Sequence, residues 1–251
     1  MSTADTRDVG STSAGQPLAS DRQPLLLCAW SGVAACALAV AGLIGIAKFI
    51  PTQGASESAE QVARFYSDNF VRVEIGMFVA MVGCTLFIPF GVVIAIMTSR
   101  IERRPILTYI QIVCVAIASL LGVMCMFIWG TAAFRAGATN PQITQLMHDF
   151  GWFAFLFDVT PFTLWLWTIG YAIIRDRHPV PLFPRWLAWL NFWIGFMFLP
   201  AELMALFKTG PFEYNGLLAL YIPAGSFFAW LVAMTPFVLR AIKQVDTDTV
   251  V

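Results

Sequence analysis

The sequence predicts an all-α, polytopic membrane protein with six transmembrane helices and both termini in the cytoplasm. Three observations predict it. Hydrophobic residues fill 59% of the 251 positions and charged residues only 12%, and the mean hydropathy is +0.74. A soluble domain is roughly 25% charged, so lipid must solvate part of this chain. Second, six stretches reach the roughly 20 apolar residues that a helix needs to cross hydrocarbon about 30 Å thick. They are residues 25–50, 70–98, 106–134, 151–174, 186–207 and 216–239. Third, the basic residues segregate. Arg7, Arg22, Arg100, Arg103, Arg104, Arg175, Arg177, Arg185, Arg240 and Lys243 fall on one side of the threading. Lys48, Arg64, Arg72, Arg135 and Lys208 fall on the other. The positive-inside rule then places both termini in the cytoplasm.

Each segment has a local cause. Residues 1–22 are rich in Ser, Thr, Gly, Ala and Asp without apolar periodicity, which predicts a disordered cytoplasmic tail. This start lacks the basic n-region of a signal peptide, so the first span is expected to stay as an anchor. The membrane domain covers 23–242, and 243–251 forms a second polar tail. Before the second span, Ser58 and Gln61 have capping-box spacing, followed by Val62, Phe65 and Tyr66 on one face. Before the fourth span, Asn140 can cap a helix whose first residue is Pro141, with Ile143, Leu146, Met147 and Phe150 at helical spacing. Both segments are expected to lie flat at the outer interface. Trp152, Trp186, Trp189 and Tyr214 fit interfacial belts, while Trp165, Trp167 and Trp193 lie deeper. Asn191 or Asp158 could partner an indole there. The first span carries small-residue ladders at Ser31, Ala35 and Ala39 and at Ala37, Ala41 and Gly45, suited to close helix packing.

Composition excludes several chemistries. Fifteen basic and fifteen acidic residues give zero net charge, which argues against nucleic acid as a partner. The five cysteines all lie in apolar spans without a CxxC pair, as small core packers do. Two histidines on opposite sides, His148 and His178, cannot make a bis-histidine haem. No phosphate-binding loop, nucleophile elbow or zinc-binding helix is present. No cofactor and no metal are therefore expected, and His148 beside Asp149 is expected to be an exposed interfacial pair.

The carboxylates inside the spans are the most informative feature. A charge at the bilayer centre costs roughly 2.5–3.5 kcal/mol on insertion scales. Asp158 lies about 10 Å into the fourth span, and Glu202 some 24 Å along the fifth, at 1.5 Å per residue. Glu74 sits near the outer start of the second span. The threading gathers all three in the outer half, near Arg72, Arg135 and Lys208. Pro161 and Pro200, which free the carbonyls of Phe157 and Phe196, fall beside Asp158 and Glu202. A carboxylate at a broken helix is how many transporter sites are built. In a structural alternative, Asp158 pairs with Arg72 or Arg135 or bonds Thr160 or Thr163, and Glu202 pairs with Lys208. Phe87-Ile88-Pro89 also echoes Phe198-Leu199-Pro200, as an inverted repeat would.

The stretch Phe183-Pro184-Arg185-Trp186, then Asn191, Trp193, Phe198-Leu199-Pro200, Phe207-Lys208-Thr209-Gly210-Pro211-Phe212 and Asn215-Gly216-Leu217-Leu218 is distinctive. It resembles a bacterial family of uncharacterised six-span integral membrane proteins. The looser similarity covers about residues 58–242. The resemblance implies the topology and a bacterial plasma membrane, and no mechanism.

The functional expectation is an outward-facing polar cavity that binds or passes a small amphiphile or cation. Asp158 and Glu202 would hold the charge, Arg72, Arg135 and Lys208 would tune it, and Glu74, Asn191 and Thr163 complete the candidate set. The alternative is a structural or accessory subunit of a membrane complex, partnered by another membrane protein or by its own copies. An intramembrane enzyme is the weakest option, because the sequence offers no nucleophile or metal site.

Overall fold

A computed structural model describes residues 22–248. The tail expected over 1–22 lies outside the described residues except for Arg22, and so do 249–251. Among the described residues, six helical segments are long and apolar enough to cross a membrane: Arg22–Ile46, Phe70–Ser99, Ile106–Arg135, Pro141–Ile174, Arg185–Leu206 and Leu217–Val245. All secondary structure described is helical.

The first span is α1 (Arg22–Val40), which widens into a π-helical turn at Ala41–Ile46. The short α2 (Ala59–Asp68) follows a loop and leads through Asn69 into α3 (Phe70–Ser99). Then come α4 (Ile106–Arg135), α5 (Pro141–Phe157), α6 (Val159–Ile174) and α7 (Arg185–Phe198). A second π-helical turn at Leu217–Tyr221 opens the last span, α8 (Ile222–Asp248). Because α8 runs through Asp248, the tail expected over 243–251 is helical that far.

Capping and proline chemistry set the boundaries. Ser58 and Gln61 close the predicted capping box on α2, and Asn140 accepts the Gln142 amide with Pro141 at the first turn of α5. At the other end of the bundle, the Glu102 carboxylate accepts the amides of Leu107 and Thr108 at 2.9 and 3.0 Å, satisfying donors at the start of α4. Pro161 has no N–H to give the Phe157 carbonyl, and α5 ends there, one residue before α6 begins. Pro200 does the same to Phe196, and the chain tightens into a 3-10 helix over Leu199–Leu206. Pro89, by contrast, sits inside an uninterrupted α3, so the Phe-Ile-Pro and Phe-Leu-Pro echoes behave differently.

One of the two small-residue ladders in α1 is used inside the bundle. A Cβ on Gly83 would lie 2.7 Å from the Ala35 carbonyl and 3.0 Å from the Ala39 amide, so α1 and α3 touch along their backbones. Ala37, Ala41 and Gly45 face outward. The two short segments before the second and fourth spans differ in how they join the bundle. Val62 and Tyr66 of α2 are buried against the bundle, and α5 continues as one helix through Gly151 into the span. The α2 segment packs on α5, where Tyr66 finds a buried polar partner in His148.

Candidate functional site

At the α2 end, the loop 47–58, α2, α4, α5 and the turn 207–216 enclose an aromatic plug. Lys48, at φ +49°, turns the chain after the first π-helical turn. Phe49 stands 4.7 Å from Trp129 and 6.1 Å from Trp152, ring centre to ring centre. Trp152 stacks on Tyr214 at 5.4 Å. Trp152 and Tyr214 therefore belong to the core and not to an interfacial belt.

His148 lies at the middle of this plug and is completely buried, which corrects the exposed pair expected with Asp149. Its Nε2 is 3.3 Å from the Gln53 carbonyl, which can only accept, so Nε2 carries the proton. Nδ1 then accepts from the Tyr66 hydroxyl at 2.8 Å. A neutral imidazole satisfies both contacts. Burial pushes the Tyr66 hydroxyl well above its ordinary range, with Tyr214 and Asp149 adding to the shift, so it stays a donor. The Trp129 indole donates to the His148 carbonyl at 3.2 Å, and the Tyr214 hydroxyl to Asp149 at 3.1 Å. Among the described residues of these segments, the Trp152 indole nitrogen, the Thr52 and Thr144 hydroxyls and one Glu213 carboxylate oxygen are buried without a partner.

Directly beneath the plug is a cavity of about 480 Å³. Phe155, which touches Trp129 and Trp152, and Ile50 form its ceiling. Its remaining wall comes mainly from small or aromatic apolar residues of α1, α3, α4, α6 and α8. The exposed residues in that wall, Val40, Ile44, Tyr221, Gly225 and Phe228, all lie on the first and last spans. The mouth therefore opens sideways between α1 and α8, flanked by the two π-helical turns, and the plug closes it toward the α2 end. A Cβ on Gly225 would meet nothing within 4 Å, as expected at an opening.

Two polar side chains stand in this apolar wall without partners. Asp158, in the break between α5 and α6, has an inaccessible Oδ1 with no hydrogen bond. Ser119 of α4 is 4% exposed, and its hydroxyl is likewise unpartnered. An unsatisfied buried polar group costs about 1–3 kcal/mol, and more when charged. The arrangement can hold an apolar body and offer its polar end one carboxylate and one hydroxyl.

The other candidates do not join Asp158. Glu202 accepts from Thr160 at 3.0 Å on the outer face of α6. Thr163 donates to the Gly195 carbonyl at 3.2 Å, tying α6 to α7. Asn191 is fully buried, takes the Trp230 indole at 2.9 Å and gives its amide to Leu187, so it pins α7 to α8. Trp230, and neither Trp165 nor Trp193, is thus the indole that Asn191 serves. Glu74 approaches Gly130 on α4, where a Cβ would stand 3.5 Å from its carboxylate. Arg72, Arg135 and Lys208 are exposed, and among the described residues none of the three forms an ion pair with Asp158 or Glu202. The cavity is thus apolar and not polar, and Asp158 is the single carboxyl group among its lining residues. Ser119 was missed by sequence reasoning. Its only signal is a hydroxyl amid apolar neighbours in the middle of a span.

Among the described residues, no three of His, Cys, Asp and Glu come together as a metal site would require. No family model, no curated protein and no solved structure matches this chain.

Proposed function

We propose that the protein binds a small amphiphile drawn sideways from the bilayer between α1 and α8. The apolar body fills the cavity, and a cationic or hydrogen-bond-donating end meets Asp158 and Ser119. The observation that carries this is the pair of unpartnered polar groups in a lipid-side cavity whose volume falls in the range of roughly 300–1,000 Å³ usual for small-molecule sites. In this reading the α2 end is external, both termini are cytoplasmic, and the membrane is the bacterial plasma membrane, as the arginine distribution and the family resemblance imply. Binding, and not passage to the external side, is favoured by the aromatic plug over the cavity.

Purified full-length protein should bind a single-chain alkyl primary amine more tightly than the alcohol of equal chain length, read by fluorescence competition or calorimetry in detergent. Asp158→Asn should weaken amine binding about tenfold, the scale of one charge-assisted contact. Ser119→Ala should cost less, and Gly225→Leu, which narrows the mouth, should slow association. Equal binding of amine and alcohol by wild type and Asp158→Asn would discard the proposal and leave the accessory-subunit alternative, in which Asn191 and Thr163 already act as helix pins.

A further inference from the structure

We propose that a second site, independent of the cavity, receives a phosphoryl group at the α2 end of the bundle. The last turn of α4 and the first turns of α5 enclose a pocket of about 240 Å³ lined by Thr131, Arg135, Thr139, Ile143, Thr144 and Met147. Three observations define its chemistry. The Arg135 guanidinium has no carboxylate within ion-pair distance among the described residues, and its recorded side-chain contact is the Phe134 ring at 5.2 Å. Thr144 is 2% exposed, and its hydroxyl has no partner. No acidic side chain lines the pocket.

The remaining polar groups are already engaged. Thr131 donates to the Phe127 carbonyl at 2.9 Å, and Thr139 to that of Arg135 at 3.1 Å. The Gln142 and Ile143 amides are taken by the side chain and carbonyl of Asn140. What the pocket still offers is a guanidinium fork, a buried hydroxyl and the positive end of the α5 dipole. These suit an anion with several acceptor oxygens. A phosphoryl group can take two parallel guanidinium bonds and leave an oxygen for the hydroxyl.

Position identifies the source. Arg135 ends a membrane span, where headgroups begin. Exposed Phe134, Ile143 and Leu146 flank the pocket as apolar surface for chains. The ligand is therefore the phosphate of a phospholipid, with free phosphate the other source of the same chemistry.

Native mass spectrometry of the detergent-solubilised full chain would test this, using phosphatidylglycerol, the diacylglycerol of matched chains and, in a separate thermal-shift arm, inorganic phosphate. The wild type should retain phosphatidylglycerol and release diacylglycerol. Arg135→Gln should lower retention about tenfold, the scale of a lost charge-assisted bond, and Thr144→Val severalfold. Arg72→Gln, an exposed arginine at the same end that lines neither cavity, should leave it unchanged. Stabilisation by inorganic phosphate without lipid retention, lost in Arg135→Gln, would keep the phosphoryl site and make free phosphate its occupant. Unchanged retention in both Arg135→Gln and Thr144→Val, equal retention of diacylglycerol, or an equal loss in Arg72→Gln would overturn it. Thr144→Val is nearly isosteric and keeps the test decisive should Arg135→Gln fail to fold.

Discussion

The plug at the α2 end and the cavity beneath it share walls, yet the plug bonds most of its central polar groups and the cavity bonds neither Asp158 nor Ser119. In the plug, His148 has a partner at each ring nitrogen, Trp129 donates to a carbonyl, and Tyr214 donates to Asp149. In the cavity, Asp158 and Ser119 keep polar atoms without a partner. Satisfied buried polar groups fix one structure, whereas unsatisfied ones lower stability and persist where something else uses them. The contrast separates a region bonded to itself at its centre from one whose two polar side chains lack partners.

Substitutions can break or sharpen that contrast. The largest effect is expected from Trp129→Ala, which opens the centre of the plug. It should cost about 3–5 kcal/mol, as large aromatic truncations in packed cores do, and lower the midpoint of thermal unfolding in detergent. Asp158→Leu should move the other way, raising the midpoint by an amount equivalent to about 1–3 kcal/mol, because it removes a buried polar group that lacks a partner. A drop would mean that Asp158 supports the fold, and would erase the distinction between the two regions. Tyr66→Phe is smaller. It strips the donor from His148 while keeping the ring, and should cost about 1–2 kcal/mol as a lost buried hydrogen bond, visible also as faster amide exchange in α2. If Tyr66→Phe were neutral, the plug would be held by ring packing alone.

The sequence made the spans legible because apolar length alone decides them, and the α5–α6 break and the 3-10 turn legible because Pro161 and Pro200 remove specific amides. The caps at Ser58 and Asn140 were equally readable, since both act within three residues. Buried His148 was not, because its depth depends on the loop 47–58 folding across it, a contact 95 residues away in sequence. Convergence of the carboxylates failed for a related reason. Threading fixes how deep a residue lies but not its azimuth, so Asp158 and Glu202 share a level while only Asp158 faces the cavity. The sideways mouth was hidden too, since it exists only where the first span meets the last.

If the proposed amphiphile enters through the opening between α1 and α8, that route sets which concentration matters. A guest arriving from the acyl-chain region is counted per lipid molecule and not per litre of water, so partitioning enriches it before any protein contact forms. A site with modest intrinsic grip can then stay filled by compounds barely detectable in the aqueous phase. Swapping lipids would retune occupancy without altering one side chain.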